Sequence, residues 1–359
     1  MRIVAAPNSF KGTLSALAAA EAIREGWLRS RPDDEVVLIP LADGGDGTME
    51  AVAAEGDEWR TVEVADPRGR PRQARWLLRA DGTAVIECAE ACGLKLLAPE
   101  QLDPLRTTTY GVGQLLEDAR LAGCRQIVLG LGGSATVDGG AGALTALGVA
   151  VLREDGSGVK VGGGELPAVA RVEPRWADPA WEEVLLVLWC DVDTVLERAA
   201  ATFGPQKGAT PEAVERLHAG LMRWADVMEG GLDVTWRDHP GSGAAGGLGF
   251  GLAACLGAQF EPGAPAVARL AGLAHALEGA DLVVTGEGEL DVTSGEGKVV
   301  GHVLAAAHRA GVRTAAVVGR VGSPVVELEL LEEASPDGIP DDPGGAVAAA
   351  AARLARSFG

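Results

Sequence analysis

Short apolar runs and one helical pattern alternate over the first forty residues. Residues Arg2–Ala6 form an apolar run closed by a proline, which is typical of a buried parallel strand. Between Ala16 and Trp27, large and small apolar residues recur at spacings of four, three and four, which predicts one buried helix face. A second apolar run, Glu35–Pro40, follows. The pattern therefore predicts a right-handed strand–helix–strand crossover in a parallel sheet.

The middle of the chain has a different pattern. Apolar runs at 61–64, 75–78 and 84–88 are separated by clusters of turn residues, which predicts an antiparallel meander. Helical and apolar segments then alternate up to residue 189, which indicates further α/β structure.

Towards the C-terminus the first pattern returns. Asp281–Thr285 and Arg313–Gly319 predict two strands with a helix between them. Parallel strands need partners, and the two N-terminal runs are the most economical ones. We therefore predict an α/β protein of two domains. A parallel-sheet domain made of residues 1–60 and 275–359 would be interrupted by an α/β domain with a mixed sheet at 61–274.

The balance of charge narrows the range of partners. The chain carries 31 basic and 51 acidic residues, a net charge of −20, which would repel duplex nucleic acid and anionic membrane surfaces. It has no apolar stretch long enough to cross a bilayer, and its first residues lack the apolar region of a signal peptide. Five cysteines without a metal-binding spacing are typical of a reducing compartment. We expect a cytoplasmic protein that binds neither nucleic acid nor membrane.

Three glycine-rich clusters follow predicted strands, at 41–48, 129–140 and 285–291. Glycine lets the backbone approach a phosphate closely, and a neighbouring carboxylate can bind Mg²⁺ or accept a proton. In open α/β sheets ligands bind at the carboxyl ends of the strands, where these clusters fall. The common phosphate-binding loop and the dinucleotide fingerprint are both absent. A nucleotide would therefore need a less common phosphate site, and each cluster alone is also consistent with a tight turn.

Charged side chains in and beside loops are further candidates. Lys11, Lys207 and Lys298 each adjoin a glycine, and an acidic chain must concentrate cations where it binds anions. Solvated surface lysines are the alternative interpretation. Asp191 follows a very apolar run, which favours a base or metal ligand, whereas capping of the next helix is the alternative. The five histidines lack suitable partners, which disfavours a Ser–His–Asp site or a histidine metal site.

The motifs together are similar to those of a known family. They span almost the whole chain in family order and read AAPNSFKGTLSA, LADGGDGT, DPRGRP, TAVIECAEACGL, DPLRTTTYGVG, GLGGSATVDGGAGALTALG, CDVD, FGPQKGAT, GAAGGLG and TGEGELD followed by GK. Each piece is short, but the combination is highly specific. The chain resembles the bacterial glycerate kinases of the glycerate 2-kinase family.

The resemblance implies a fold and an activity. The fold would be a flavodoxin-like or Rossmann-like parallel domain interrupted by a second α/β domain, with the active site in the cleft. The activity would be transfer of the γ-phosphoryl group of ATP to D-glycerate with Mg²⁺, usually giving 2-phosphoglycerate. Whether the chain forms a homo-oligomer stays open.

The resemblance also implies roles for individual residues. Asp191 or Asp43 would accept the glycerate hydroxyl proton, while Lys11 and Lys207 would neutralise carboxylate or phosphate charge. The substrate would contact Ser9, Arg68, Arg106, Thr107 and Ser134. The phosphates of ATP would contact Gly44, Gly45, Gly132, Gly133, Gly286, Gly288 and Lys298. Mg²⁺ would bind to Asp138, Glu287 and Asp291.

The chain departs from the family pattern at several positions. Asn8 stands where the family commonly has Asp, Thr194-Val195 where Asn-Pro is usual, and Glu289 where Arg or Lys is frequent. The alternatives are a kinase for another small hydroxy acid, a kinase giving 3-phosphoglycerate, and a degenerate member that binds an anionic metabolite without turnover. A nicotinamide-dependent dehydrogenase shares the fold class but requires the missing fingerprint.

Overall fold

The computed structural model describes residues 1–174, 178–291, 294, 298–322, 328–335 and 338–358. Its strands are β1 (Arg2–Pro7), β2 (Glu35–Leu38), β3 (Glu58–Ala65), β4 (Pro71–Leu78), β5 (Ala84–Glu87), β6 (Gln126–Gly130), β7 (Ala150–Leu152), β8 (Arg171–Glu173), β9 (Leu185–Trp189), β10 (Gln259–Glu261), β11 (Leu282–Gly286), β12 (Glu289–Leu290), β13 (Arg313–Val318), β14 (Arg320–Val321) and β15 (Leu330–Glu333). Its α-helices are α1 (Ala16–Ser30), α2 (Thr48–Val52), α3 (Ala89–Cys92), α4 (Tyr110–Leu121), α5 (Ala141–Ala146), α6 (Leu196–Phe203), α7 (Pro211–Leu232), α8 (Ala244–Leu256), α9 (Gly263–Leu270), α10 (Leu273–Leu277), α11 (Val299–Ala310) and α12 (Pro343–Ser357). Among the helices in these ranges, none combines the length and the apolar character that a membrane crossing requires.

The helices and strands form two compact units, and each unit is built from separate segments of the sequence. Unit 1 comprises residues 1–43, 50–53 and 262–359, and unit 2 comprises residues 44–49 and 54–261. The domain limits inferred from the sequence, 1–60 with 275–359 and 61–274, stay a prediction.

Unit 1 is built on a five-stranded parallel sheet in the order β15-β13-β11-β1-β2. Strand β1 pairs with β2 on one side and with β11 on the other, and β11 pairs in turn with β13. The four apolar runs that were expected to share one parallel sheet do so, which confirms that prediction.

Two helices at opposite ends of the sequence pack on this sheet. Ile23 and Trp27 of α1 and Val347 of α12 lie in one buried core with side chains of β1, β11 and β13. The helix face predicted between Ala16 and Trp27 is therefore confirmed. The two helices approach so closely that a Cβ on Gly26 would lie 1.9 Å from the carbonyl oxygen of Ala348.

Unit 2 contains a six-stranded mixed sheet in the order β10-β9-β6-β5-β4-β3. Strands β3, β4 and β5 pair antiparallel, as predicted for the meander, and the other three continue the sheet in parallel. The predicted α/β class, with one parallel sheet and a separate mixed sheet, is thereby confirmed. Trp76 of β4 is fully buried and donates its indole N–H to Asp118 of α4 at 2.8 Å, which ties this helix to the sheet.

Replacement of Gly26 by alanine tests the contact between α1 and α12. The added methyl group would overlap a backbone carbonyl that cannot rotate away, so we expect a loss of about 1–3 kcal/mol in the free energy of unfolding. This loss should appear although alanine has the higher helix propensity. The measurement is the urea midpoint followed by circular dichroism.

The matched control is Gly230→Ala in α7, where the added methyl would meet no atom within 4 Å. It should leave the midpoint unchanged or raise it slightly, because only the propensity term remains. Equal midpoints for the two variants would contradict the close contact between α1 and α12.

Candidate active site

A cavity of about 540 Å³ lies in unit 1, where the loops after β1, β11 and β13 meet. These loops follow the carboxyl ends of parallel strands, the edge at which α/β sheets bind ligands. These three segments, together with residues between 334 and 347, contribute to one wall. The predicted site residues that line the cavity are Ser9, Lys11, Glu287, Gly288, Asp291 and Lys298.

The loop after β1 is fixed by hydrogen bonds to its neighbours. The backbone N–H of Asn8 donates to the carbonyl of Gly286 at 2.8 Å, and its side-chain oxygen accepts the N–H of Ser9 at 2.7 Å. Phe10 then exchanges backbone hydrogen bonds with the residue four positions later, which closes a tight turn. These bonds hold Ser9 and Lys11 at the cavity wall.

Glu287 is a half-buried carboxylate of the cavity wall. Burial raises the pKa of its carboxyl and nearby Asp291 raises it further, while a side-chain hydrogen bond with Ser294 and the charges of Lys298 and Lys11 oppose the rise. Its Oε1 is buried and has no hydrogen-bond partner among the described residues. A buried oxygen without a donor is unfavourable, so the cavity presents a group suited to a cation or to a hydroxyl proton.

In unit 2 the predicted cation Lys207 is almost fully buried. Its ammonium donates to Ser134 Oγ at 2.9 Å and to the carbonyl of Thr136 at 2.7 Å. Burial lowers the pKa of Lys207 to about 8, against the opposing effect of two nearby thiols and one carboxylate. Among the described residues these two oxygens are its hydrogen-bond acceptors, which leaves one of the three ammonium donors for a bound anion.

Asp138 organises the backbone near Lys207. The carboxylate is fully buried and accepts the N–H of Thr109 at 2.8 Å, the Thr109 hydroxyl at 3.0 Å and the backbone N–H groups of Gly140 and Gly142. Burial raises the pKa of this carboxyl, and the hydrogen bonds oppose the rise. Its role as a metal ligand stays a prediction, and its contacts are those of a group that holds two loops together.

The predicted phosphate-binding glycines of unit 2 pack against each other. The N–H of Gly132 donates to the carbonyl of Gly44 at 3.2 Å, and a Cβ on Gly132 would lie 2.4 Å from the Cα of Gly45. Gly133 has a φ of +75°, a conformation that favours glycine. Close packing and turn geometry therefore account for these glycines, and their contact with phosphate stays a prediction.

The structure places the remaining predicted residues in both units. Arg68 and Arg106 are exposed side chains of unit 2, and Thr107 is buried there with its hydroxyl bonded to a backbone carbonyl. Asp43 is the last residue of the first segment of unit 1, and Asp191 follows β9 in unit 2. Because Lys11 belongs to one unit and Lys207 to the other, their convergence on one cleft stays a prediction.

Two further candidates come from the structure alone. Arg320 follows β13 and lines the cavity, where its guanidinium forms an ion pair with Glu289 at 2.7 Å. An arginine directly after a strand and a glycine was the available signal in the sequence. Thr109 binds Asp138 across a sequence separation of 29 residues, and no local pattern joins the two.

A family model described as the glycerate kinase family matches residues 3–336 of the chain. The chain belongs to the glycerate kinase family. The suspected family is thus confirmed, as is the predicted enzyme class, a kinase. Use of ATP follows as a property of that class.

Individual relatives agree with this glycerate kinase assignment. The chain is 43% identical over 326 residues to a Halalkalibacterium halodurans protein named glycerate kinase, covering 89% of this chain and 86% of the relative. It is 41% identical over 305 residues to the Escherichia coli protein named glycerate 2-kinase, covering 83% of this chain and 80% of the relative. A Salmonella typhimurium crystal structure, provisionally named glycerate kinase 2, superposes with a TM-score of 0.85 at 38% identity and covers 100% of this chain and 98% of that one.

Asp138→Asn tests whether this buried carboxylate holds the fold of this glycerate kinase family member. The amide would turn an NH₂ group towards N–H donors, so at least one buried donor would lose its acceptor, at a cost of about 1–3 kcal/mol. We expect a lower thermal unfolding midpoint for the whole chain. The control is Asp155→Asn, because exposed Asp155 also accepts the N–H and hydroxyl of Ser157 but lies in solvent. It should leave the midpoint almost unchanged, and the same result for Asp138→Asn would contradict the structural role.

Proposed function

We propose that the chain transfers the γ-phosphoryl group of ATP to D-glycerate, giving 2-phosphoglycerate and ADP. The observation that carries the proposal is the cavity of unit 1, where Ser9, Lys11 and Lys298 meet the carboxylates Glu287 and Asp291. Phosphoryl transfer depends on positioning and charge neutralisation more than on covalent help. The names of the two bacterial relatives support glycerate as the substrate, and the name of the Escherichia coli protein supports the 2-phosphoglycerate product.

The cavity suits the phosphates of a nucleotide. Lys11 and Lys298 supply positive charge, and Lys298 directly precedes α11, whose N-terminal N–H groups favour anions. Gly288 lies against the Lys11 backbone, where a Cβ would be 3.4 Å from its nitrogen. The cavity volume falls within the range of about 300–1,000 Å³ that is usual for small-molecule sites.

The donor set of the cavity fits Mg²⁺. This ion usually takes one or two carboxylates and completes its shell with phosphate oxygens and water. Glu287 and Asp291 provide two carboxylates, and Oε1 of Glu287 lacks a partner among the described residues. Within that part of the chain no three His, Cys, Asp or Glu side chains form a metal site by themselves, so the phosphates would supply the remaining ligands. When bound, the ion would neutralise phosphate charge.

The groups of unit 2 suit the glycerate. Lys207 and Ser134 can hold its carboxylate, because a charge-assisted hydrogen bond to an ammonium is short and strong. Asp191, or Asp43 in its place, would accept the proton of the attacking hydroxyl. The hydroxyl oxygen then bonds to the γ-phosphorus, the bond from that phosphorus to the bridging oxygen breaks, and ADP leaves with the electron pair.

The direct test is an ADP-release assay with ATP, Mg²⁺ and D-glycerate, with the product identified by ³¹P NMR. We expect ADP release that depends on D-glycerate and a product phosphorylated on the 2-hydroxyl. L-glycerate and glycolate are matched controls, since each changes one feature of the substrate. A 3-phosphoglycerate product would reassign the reacting hydroxyl, turnover with another hydroxy acid would reassign the substrate, and binding without turnover would indicate a degenerate member.

The lowered pKa of Lys207, about 8, predicts a pH dependence of the reaction. The ammonium is charged below pH 8 and loses its proton as the pH rises through that value, so it ceases to attract a carboxylate. We expect kcat/KM for D-glycerate to fall up to about tenfold per pH unit above 8.

The Lys207→Arg variant tests whether deprotonation of Lys207, and not of another group, causes the fall in kcat/KM. The guanidinium stays charged well above pH 10, so the fall near pH 8 should disappear whatever the absolute rate of the variant. Lys95→Arg is the matched control, because Lys95 is an exposed lysine of the same unit paired with Asp46. It should keep the profile of the unmodified protein. A fall near pH 8 that persists in Lys207→Arg would assign the titration to another group.

A further inference from the structure

We infer that Arg320 is an anion-binding residue of the unit 1 cavity, where it contacts the phosphate chain of the nucleotide. That the anion belongs to ATP rests on the proposed function, whereas the presence of an anion site rests on unit 1 alone. Arg320 lines the cavity together with Lys11 and Lys298, which come from two other loops. Three cations on separate segments thus face one space.

The backbone of Arg320 is fixed to the segment that carries Glu287. The N–H of Arg320 donates to the carbonyl of Gly288 at 3.0 Å, and the N–H of Gly319 donates to the carbonyl of Glu287, also at 3.0 Å. A Cβ on Gly319 would lie 2.3 Å from the carbonyl oxygen of Gly288, so glycine is required for this approach. The backbone of Arg320 is therefore held beside Gly288 and Glu287, the predicted phosphate-binding and metal-binding residues.

The side chain of Arg320 keeps most of its donors available. Its Nη2 donates to Glu289 Oε2 at 2.7 Å, and the side chains are 58% and 44% exposed. An exposed ion pair of this kind adds little to the free energy of unfolding, so a contribution to stability does not explain the presence of Arg320. A guanidinium has five N–H donors in a planar fork that matches phosphate oxygens, and Glu289 uses one of them. The carboxylate limits the directions in which the guanidinium points without occupying it.

The charge of the cavity wall shows what Arg320 changes. Among the described residues that line the cavity, the charged side chains are Lys11, Lys298, Arg320, Glu287, Glu289 and Asp291, and their formal charges sum to zero. Without Arg320 the wall would carry a net charge of −1, in a chain whose net charge is already −20. A polyphosphate would then enter a site of its own sign. Arg320 is therefore one of three described cations that offset the carboxylates of this wall.

The test measures binding of inorganic tripolyphosphate and of ATP to the whole protein by titration calorimetry, with KM values from the ADP-release assay. Arg320→Ala should weaken binding of both anions at least tenfold and raise KM for ATP, while KM for D-glycerate changes little. Arg320→Lys keeps the charge but loses the fork, so it should lie between Arg320→Ala and the unmodified protein. Arg313→Ala is the matched control, because Arg313 forms an exposed ion pair of similar length with Glu329 outside the cavity wall.

The outcomes separate this inference from the proposed function. Weaker tripolyphosphate binding in Arg320→Ala, with Arg313→Ala unchanged, supports the anion site even if D-glycerate is not phosphorylated. Unchanged binding of tripolyphosphate and ATP in Arg320→Ala overturns the inference, even if the unmodified protein phosphorylates D-glycerate. An equal loss in both arginine variants would also overturn it, since general charge would then explain the effect.

Discussion

Parallel pairing is the constraint on which unit 1 depends. When every strand runs in the same direction, each loop that follows a strand emerges at the same edge of the sheet. The register sets how these loops meet, because Pro7 lies opposite Gly286 and Thr285 lies opposite Ala316. A slip by one residue would turn the side chains of a strand to the other face. The cavity wall is therefore a product of backbone hydrogen bonds before any side chain contributes chemistry.

Unit 2 uses a different principle, the burial of charge with matched partners. Lys207 and Asp138 are both buried; Lys207 donates to two oxygens, and Asp138 accepts from several N–H and hydroxyl groups. Burial lowers the pKa of Lys207 and raises the pKa of Asp138, so that in each case the uncharged form is favoured. The hydrogen-bond partners hold both groups in place. Exposed Arg106, by contrast, meets water and one neighbouring carboxylate, which leaves its position free to vary.

The sequence could predict the sheets because their strands are local apolar runs between turn residues. It could also name six of the described cavity-lining residues, since Lys11 and Lys298, for example, adjoin glycines in loops after predicted strands. The bounds of the 22-residue helix α7 were not predicted, although the stretch around His218 is helix-like, Thr210 caps the helix and Pro211 begins it. Arg320 after Gly319 was visible in the sequence, but its place depends on a two-residue pairing with the segment around Glu289, which no periodicity reveals. Arg320 stands on the segment paired with Glu289, the position where the family pattern frequently has a cation.

The pairing of β1 with β11 has a consequence for synthesis on the ribosome. The two strands are separated by about 280 residues, so β1 emerges long before the partner that lies beside it in the sheet. At roughly 5–20 residues per second, this delay amounts to roughly 15–55 s. Strands β3 to β10 are all made in that interval, while one edge of β1 has no native partner. The nascent chain must therefore keep the β1–α1–β2 segment from mispairing until its C-terminal third has been translated.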